Sequence, residues 1–113
     1  MDVTILPNAA DAFIDEEKLI GYSLNFEHPT GKHKAYVFQK RLNITSADID
    51  WLIEQIFVNI LLNEAKLVST IRHGTLWQVD FSIEKEKNTA IIRTGWIIRL
   101  EENFPRLTTC YIL

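Results

Sequence analysis

A single change of hydrophobic period, near Lys66, constrains this chain more than any other feature. Before it, Ile49, Leu52, Ile53, Ile56, Phe57, Ile60 and Leu61 recur at the i, i+3, i+4 and i+7 spacing of a helix with one apolar face. After it, Trp77, Val79, Phe81 and Ile83 alternate with Gln78, Asp80, Ser82 and Glu84, so one side of a strand meets a core and the other is polar. A chain of 113 residues, 47% of them hydrophobic, is large enough for one core and too small for two. The helical half and the stranded half must therefore share it. The expected architecture is α+β, with two to three N-terminal helices packed on a C-terminal antiparallel β-meander of about four strands, and residues 1–113 forming a single globular domain.

Local signals place the elements. Val3 to Leu6 reads as a short extended segment, a candidate edge strand that Pro7 ends. Asp15 has the position of an N-cap, with Ile14 as its hydrophobic staple and Glu16 and Glu17 in the first turn, opening a helix that buries Leu19, Tyr22 and Phe26. That helix should stop near Asn25, because Pro29 disfavours a helical His28. A second helix runs from Gly31 or Lys32 to Arg41, burying Ala35, Phe38 and Leu42 and stopping at Asn43. Thr45-Ser46-Ala47-Asp48 then resembles a capping box in front of the apolar stripe. Trp51, Val58 and Leu62 lie off that stripe and suit a second covered face or a dimer face.

Strands follow from Leu67 to Arg72, through Trp77 to Ile83, across a charged hairpin at Lys85 to Asn88, and from Leu107 to Ile112. In the third of the four strands Ala90, Ile92, Thr94, Trp96 and Ile98 oppose Ile91, Arg93, Ile97 and Arg99. A bulge at Gly95 would shift that register by one residue, which leaves open which face carries Arg93 and which Thr94.

The net charge of −3 argues against a protein that coats nucleic acid by bulk electrostatics. The charges are nevertheless segregated, for the stretch from His28 to Arg41 contains no acid. Lys32, His33 and Lys34 fall where a helix N-terminus carries partial positive charge, each opposing that field by a few tenths of a kcal/mol or more. With the free backbone N–H groups of that helix end, this arrangement near Gly31 to Lys34 suits a phosphate or carboxylate, although a solvated basic face is the plainer reading. One cysteine, Cys110, gives no disulfide framework and fits a reducing compartment. Neither a signal peptide nor a membrane span is legible, so the cytoplasm is the expected location.

Four motifs carry a family resemblance: Leu6-Pro7-Asn8-Ala9; His28-Pro29-x-Gly31-x-His33-Lys34-Ala35-x-x-Phe38; Arg93-Thr94-x-Trp96; and Phe104-Pro105-Arg106-Leu107-x-Thr109-Cys110-Tyr111. In this order and from end to end, the chain resembles a small bacterial family of uncharacterised proteins, domain of unknown function 6883. The polar residues shared with that pattern are His28, His33, Lys34, Arg93, Thr94, Arg106 and Thr109. Cleaving RNA without a metal requires a base, an acid, and cations or hydroxyls around the developing phosphorane. His28, His33, Lys34, Arg93 and Arg106 supply the catalytic types, and Gly31, Lys32, Thr94 and Thr109 the binding types.

The layout is also similar to that of the barnase–EndoU–colicin–RelE superfamily of metal-independent ribonucleases, an analogy of fold alone. The first expectation is thus a ribonuclease-like, toxin-type domain acting on RNA. The alternative is a non-catalytic protein-interaction module of a bacterial two-gene pair, whose basic helix and sheet edge bind an acidic cognate protein. Each residue also has a structural reading: His28 as a capping group, Lys34 as a stem over Phe38, Arg93 and Arg106 as partners of Glu101 or Glu102, Tyr111 as core. No cofactor is expected. The scattered His28, His33, His73 and Cys110 make no metal set.

Overall fold

The computed structural model describes residues 4–19, 21, 24–25, 27–29 and 31–113. The elements are a short helical turn α1 (Glu16–Lys18), helices α2 (Lys32–Leu42) and α3 (Ile49–Ile60), and strands β1 (Ala65–Ile71), β2 (Gly74–Lys85), β3 (Asn88–Arg99) and β4 (Pro105–Ile112). The strands form one antiparallel sheet in the order β1-β2-β3-β4. Helix α2 packs against β3 and β4 and α3 against β2. The architecture is α+β, with the helices on one face of the meander.

The core lies between these two layers. Phe38, Leu42, Ile44, Leu52, Ile56 and Ile60 from the helical half meet Val79, Phe81, Ile92, Trp96, Leu107 and Cys110 from the sheet. Fully burying an aliphatic or aromatic side chain of this size stabilises by roughly 1.5–3 kcal/mol. Burial alternates along β2 and β3, so Val79, Phe81 and Ile83 with Ala90, Ile92, Thr94 and Trp96 face the helices. The opposite face presents Gln78, Asp80, Arg93, Gly95 and Arg106 by the same alternation.

The caps follow their sequence signals. Asp15 accepts from the Glu17 N–H at 3.0 Å. Asn43 ends α2 in the left-handed region (φ 55°), donating its N–H to the Gln39 carbonyl at 2.8 Å. Before α3, Thr45 and Asp48 form a reciprocal capping box, with the Thr45 N–H donating to the Asp48 carboxylate at 2.9 Å. At the β2–β3 hairpin, Glu86 and Lys87 both take positive φ (52° and 72°), the two-residue turn whose twist matches its strands. Gly74 opens β2 at φ 152°, where a Cβ would strike the Ile98 carbonyl oxygen.

Several local expectations are corrected. Thr4, Ile5 and Leu6 form no strand, and Thr4 only accepts one hydrogen bond from the Ala65 N–H at 2.7 Å. The first α-helix is three residues long and passes into a π-type turn at Leu19 and Gly21, where the Leu24 N–H donates to the Leu19 carbonyl at 2.7 Å, just before the expected stop at Asn25. Tyr22 and Phe26 fall outside the described residues. The first hairpin turns at Arg72-His73, because β1 runs from Ala65 to Ile71 and ends one residue short of the strand expected through Arg72. Gly95 does mark a bulge, but the extra residue is Thr108 in β4. The β3 register is therefore unbroken, so Thr94 faces the core and Arg93 the open side. Of the residues off the α3 stripe, Trp51 packs on the core, whereas Val58 and Leu62 stay exposed.

Candidate functional site

The start of α2 is held by His28. Its Nδ1 accepts from the Gly31 N–H at 2.9 Å, and its carbonyl accepts from the Lys32 N–H at 3.0 Å. Accepting at Nδ1 requires that nitrogen to be unprotonated, so His28 acts here as a capping group on the turn into α2. Gly31 is buried beneath that turn, and Lys32 and His33 are exposed on the first turn of the helix.

Lys34 leaves this group. Its Nζ donates to the Thr109 hydroxyl at 3.3 Å and lies 5.1 Å from the Tyr111 ring centroid. Thr109 and Tyr111 flank Cys110, which is buried, so the lysine stem passes over the β4 edge to reach the sheet's open side. There Tyr111 faces Arg93 in the ladder. Arg93 is bidentate to Asp80, with Nε donating at 3.0 Å and Nη2 at 2.9 Å. The Asp80 carboxylate, and then the Tyr111 hydroxyl, hold the Arg93 guanidinium well above its ordinary pKa. Four elements, α2, β2, β3 and β4, thus meet in the chain Lys34, Thr109, Tyr111, Arg93 and Asp80. Arg93, Thr109 and Tyr111 rim a shallow depression of about 180 Å³ over Gly95. A Cβ on Gly95 would stand 2.7 Å from Thr109 Cγ2, so close packing of Thr109 is what requires glycine here.

Arg106 belongs to a second depression, of about 310 Å³, with Phe13 and Ile97. It lies opposite Ile97, four residues along β3 from Arg93, a separation of ~13 Å in an extended strand. Its guanidinium donates from Nε at 2.9 Å and Nη2 at 2.7 Å to Glu102 and stacks 5.0 Å from the ring centroids of both Phe13 and Phe104. Hydrogen bonding from Arg106 lowers the Glu102 carboxyl pKa, and the same contact raises that of Arg106. The pairing expected with Glu102 is therefore present and makes Arg106 a clamp between the β4 start and the Phe13 segment.

Thr94 lies on neither depression. It is fully buried, donating to the Val79 carbonyl at 2.8 Å and accepting from the Trp96 indole N–H at 2.9 Å. The Arg93-Thr94-x-Trp96 motif thus joins a solvent-side ion pair to a polar bridge inside the core. Cys110 is buried as well, and desolvation pushes its thiol up to about 12 against an opposing pull from Lys34.

Two participants escaped the sequence reading. Tyr111 reads as core by composition, but its place one residue after a buried cysteine puts it on the open face. Asp80 was findable from the hairpin, since it lies six residues before Glu86 as Arg93 lies six after Lys87. Among the described residues no three of His, Cys, Asp and Glu group as metal ligands, and no helix is long and apolar enough to cross a membrane.

Fold and site together define a two-layer α+β domain whose helices cover one face of a four-stranded meander and whose polar motifs cross β4 to the other. The chain belongs to the family described as domain of unknown function DUF6883, whose profile matches residues 5–113. No curated protein and no solved structure matches it.

Proposed function

We propose that this domain is a non-catalytic protein-interaction module, one half of a toxin–antitoxin-like pair, whose α2 face receives an acidic segment of its cognate protein. One observation carries the reading. Lys32, His33, Tyr36 and Lys40 share the solvent side of α2, a helix without acid, and no ion pair among the described residues engages them. Lys40 Nζ sits 5.5 Å from the Tyr36 ring centroid, giving the stripe an aromatic platform between its cations. By contrast, the two arginines that a nuclease would turn toward phosphate are each bound bidentate by a carboxylate of this chain.

The second reading, a metal-independent endoribonuclease, is favoured by one feature: Tyr111 lies between Lys34 and Arg93, with the Thr109 hydroxyl alongside. In that case Lys34 and Arg93 hold the phosphate and Tyr111 moves the proton.

Titration of the purified chain with a glutamate-rich peptide and with a single-stranded RNA of equal charge separates the two. Under the first reading the peptide binds more tightly than the RNA. Its affinity then falls by about tenfold or more in a Lys32→Glu/Lys40→Glu variant and falls again with added salt. Peptide binding untouched by the charge reversal refutes it. RNA cut in chelator by the wild type, and not by Tyr111→Phe or Lys34→Ala, establishes the second reading instead.

A further inference from the structure

We propose that β1 is a pairing edge, joining β1 of a second copy of this chain in antiparallel register to make one continuous eight-stranded sheet. The anomaly is the strand itself. Of its seven residues only Ala65 is buried, while Leu67, Val68 and Ile71 are 53%, 59% and 37% exposed. Large aliphatics on an edge strand that no described segment covers past Ala65 are what soluble proteins ordinarily avoid. Before β1, Leu61 and Leu62 are also exposed, at 49% and 71%, as is Val58 one turn earlier at 48%.

The fold treats its two edges differently. At β4 the chain covers its own edge: Phe13 donates its N–H to Pro105 at 2.8 Å and accepts from Leu107 at 3.0 Å, and Lys34 crosses over Thr109. At β1 the Ala65 N–H points away from β2 to the Thr4 carbonyl at 2.7 Å, and alternation aims that of Leu67 the same way, without a partner among the described residues.

Two features select a second copy over another strand. The edge is interrupted where Val68 bulges between Leu67 and Ser69. A regular strand loses register there, but a second copy brings the same irregularity to the two-fold axis. The charges are self-complementary too. With the axis between Val68 and Ser69, Leu67 faces Thr70 of the second copy and the lone strand charge Lys66 faces Ile71, so the paired segment stops short of Ala65, where Thr4 already holds the edge, and Glu64 lies toward the Arg72-His73 turn of the second copy at each end of the seam.

Sedimentation equilibrium of the purified chain from micromolar to millimolar concentration tests the pairing. A monomer–dimer equilibrium is expected, with the dissociation constant raised ~100-fold by Val68→Lys, since symmetry installs the charge twice. Hydrogen exchange on the wild type gives a second readout, with the Leu67 amide slowing as the dimer fills. A monomer throughout, a dimer indifferent to Val68→Lys, or a dimer whose Leu67 amide still exchanges fast overturns the proposal.

Discussion

Replacing Thr94 by valine isolates one buried hydroxyl at constant shape. Thr94 Oγ1 accepts from the Trp96 indole N–H at 2.9 Å and donates to the Val79 carbonyl at 2.8 Å, with all three residues in the core. Valine leaves the indole donor without a partner in a place that water does not reach. An unsatisfied buried donor costs ~1–3 kcal/mol, so the variant should lose about 2 kcal/mol. A domain of this size loses about 4 °C of Tm per kcal/mol, which makes the expected fall roughly 8 °C. Serine keeps the hydroxyl and gives up one methyl, at a cost of about 1 kcal/mol. The expected order of stability is wild type, Thr94→Ser, Thr94→Val, although valine is the closer match in volume. In a Trp96→Phe background the valine penalty should shrink by ~1–2 kcal/mol, since the orphaned donor is gone. Urea titration followed by circular dichroism measures all four variants. Thr94→Val as stable as Thr94→Ser would refute a polar bridge and make ordinary packing the reason for threonine here.

Two further outcomes follow from the ionisable groups. Because Arg106 depresses the Glu102 carboxyl in the folded state, the contribution of that pair is present above the ordinary glutamate pKa and is lost as pH falls through the lower folded value. Glu102→Gln should therefore lower Tm at neutral pH and converge with the wild type in acid; a gap that persists or widens in acid contradicts the pairing. Cys110, with its thiol pushed up to about 12 by burial, should resist a thiol reagent at mildly alkaline pH until the chain unfolds. Prompt stoichiometric labelling of the native protein would show that β4 opens on its own.

The DUF6883 motifs divide by what they do. Leu6-Pro7-Asn8-Ala9 is a docking turn: Leu6 and Ala9 enter the core, and Asn8, at φ 54°, donates its side-chain amide to the Asn103 carbonyl at 2.5 Å. Phe104-Pro105-Arg106 is a clamp on Phe13. Their polar residues serve the fold, while Lys34, Thr109, Tyr111 and Arg93 are displayed on its open face. A polar residue shared within a family therefore does not mark a site until its face is known. Thr94 and Arg93 are neighbours in sequence and lie on opposite sides of the sheet.

Local rules in the chain determined its class. The apolar stripe of α3, the capping box before it, the Asn43 stop and the alternation in β2 and β3 depend on spacings of a few residues, and each appears where the sequence puts it, except that α3 ends at Ile60 and leaves Leu61, the last residue of the expected stripe, exposed. The three short connections between successive strands order the sheet for the same reason. Only tertiary structure decided which polar groups meet. Lys34 touches Thr109 at a sequence separation of 75 by passing over a sheet edge, and Arg106 packs on Phe13 through a parallel bridge, contacts that no periodicity encodes. Tertiary structure also set the exposure of β1. Among the described residues the helices pack over β2, β3 and β4, and β1 is covered only at Ala65, beside Thr4.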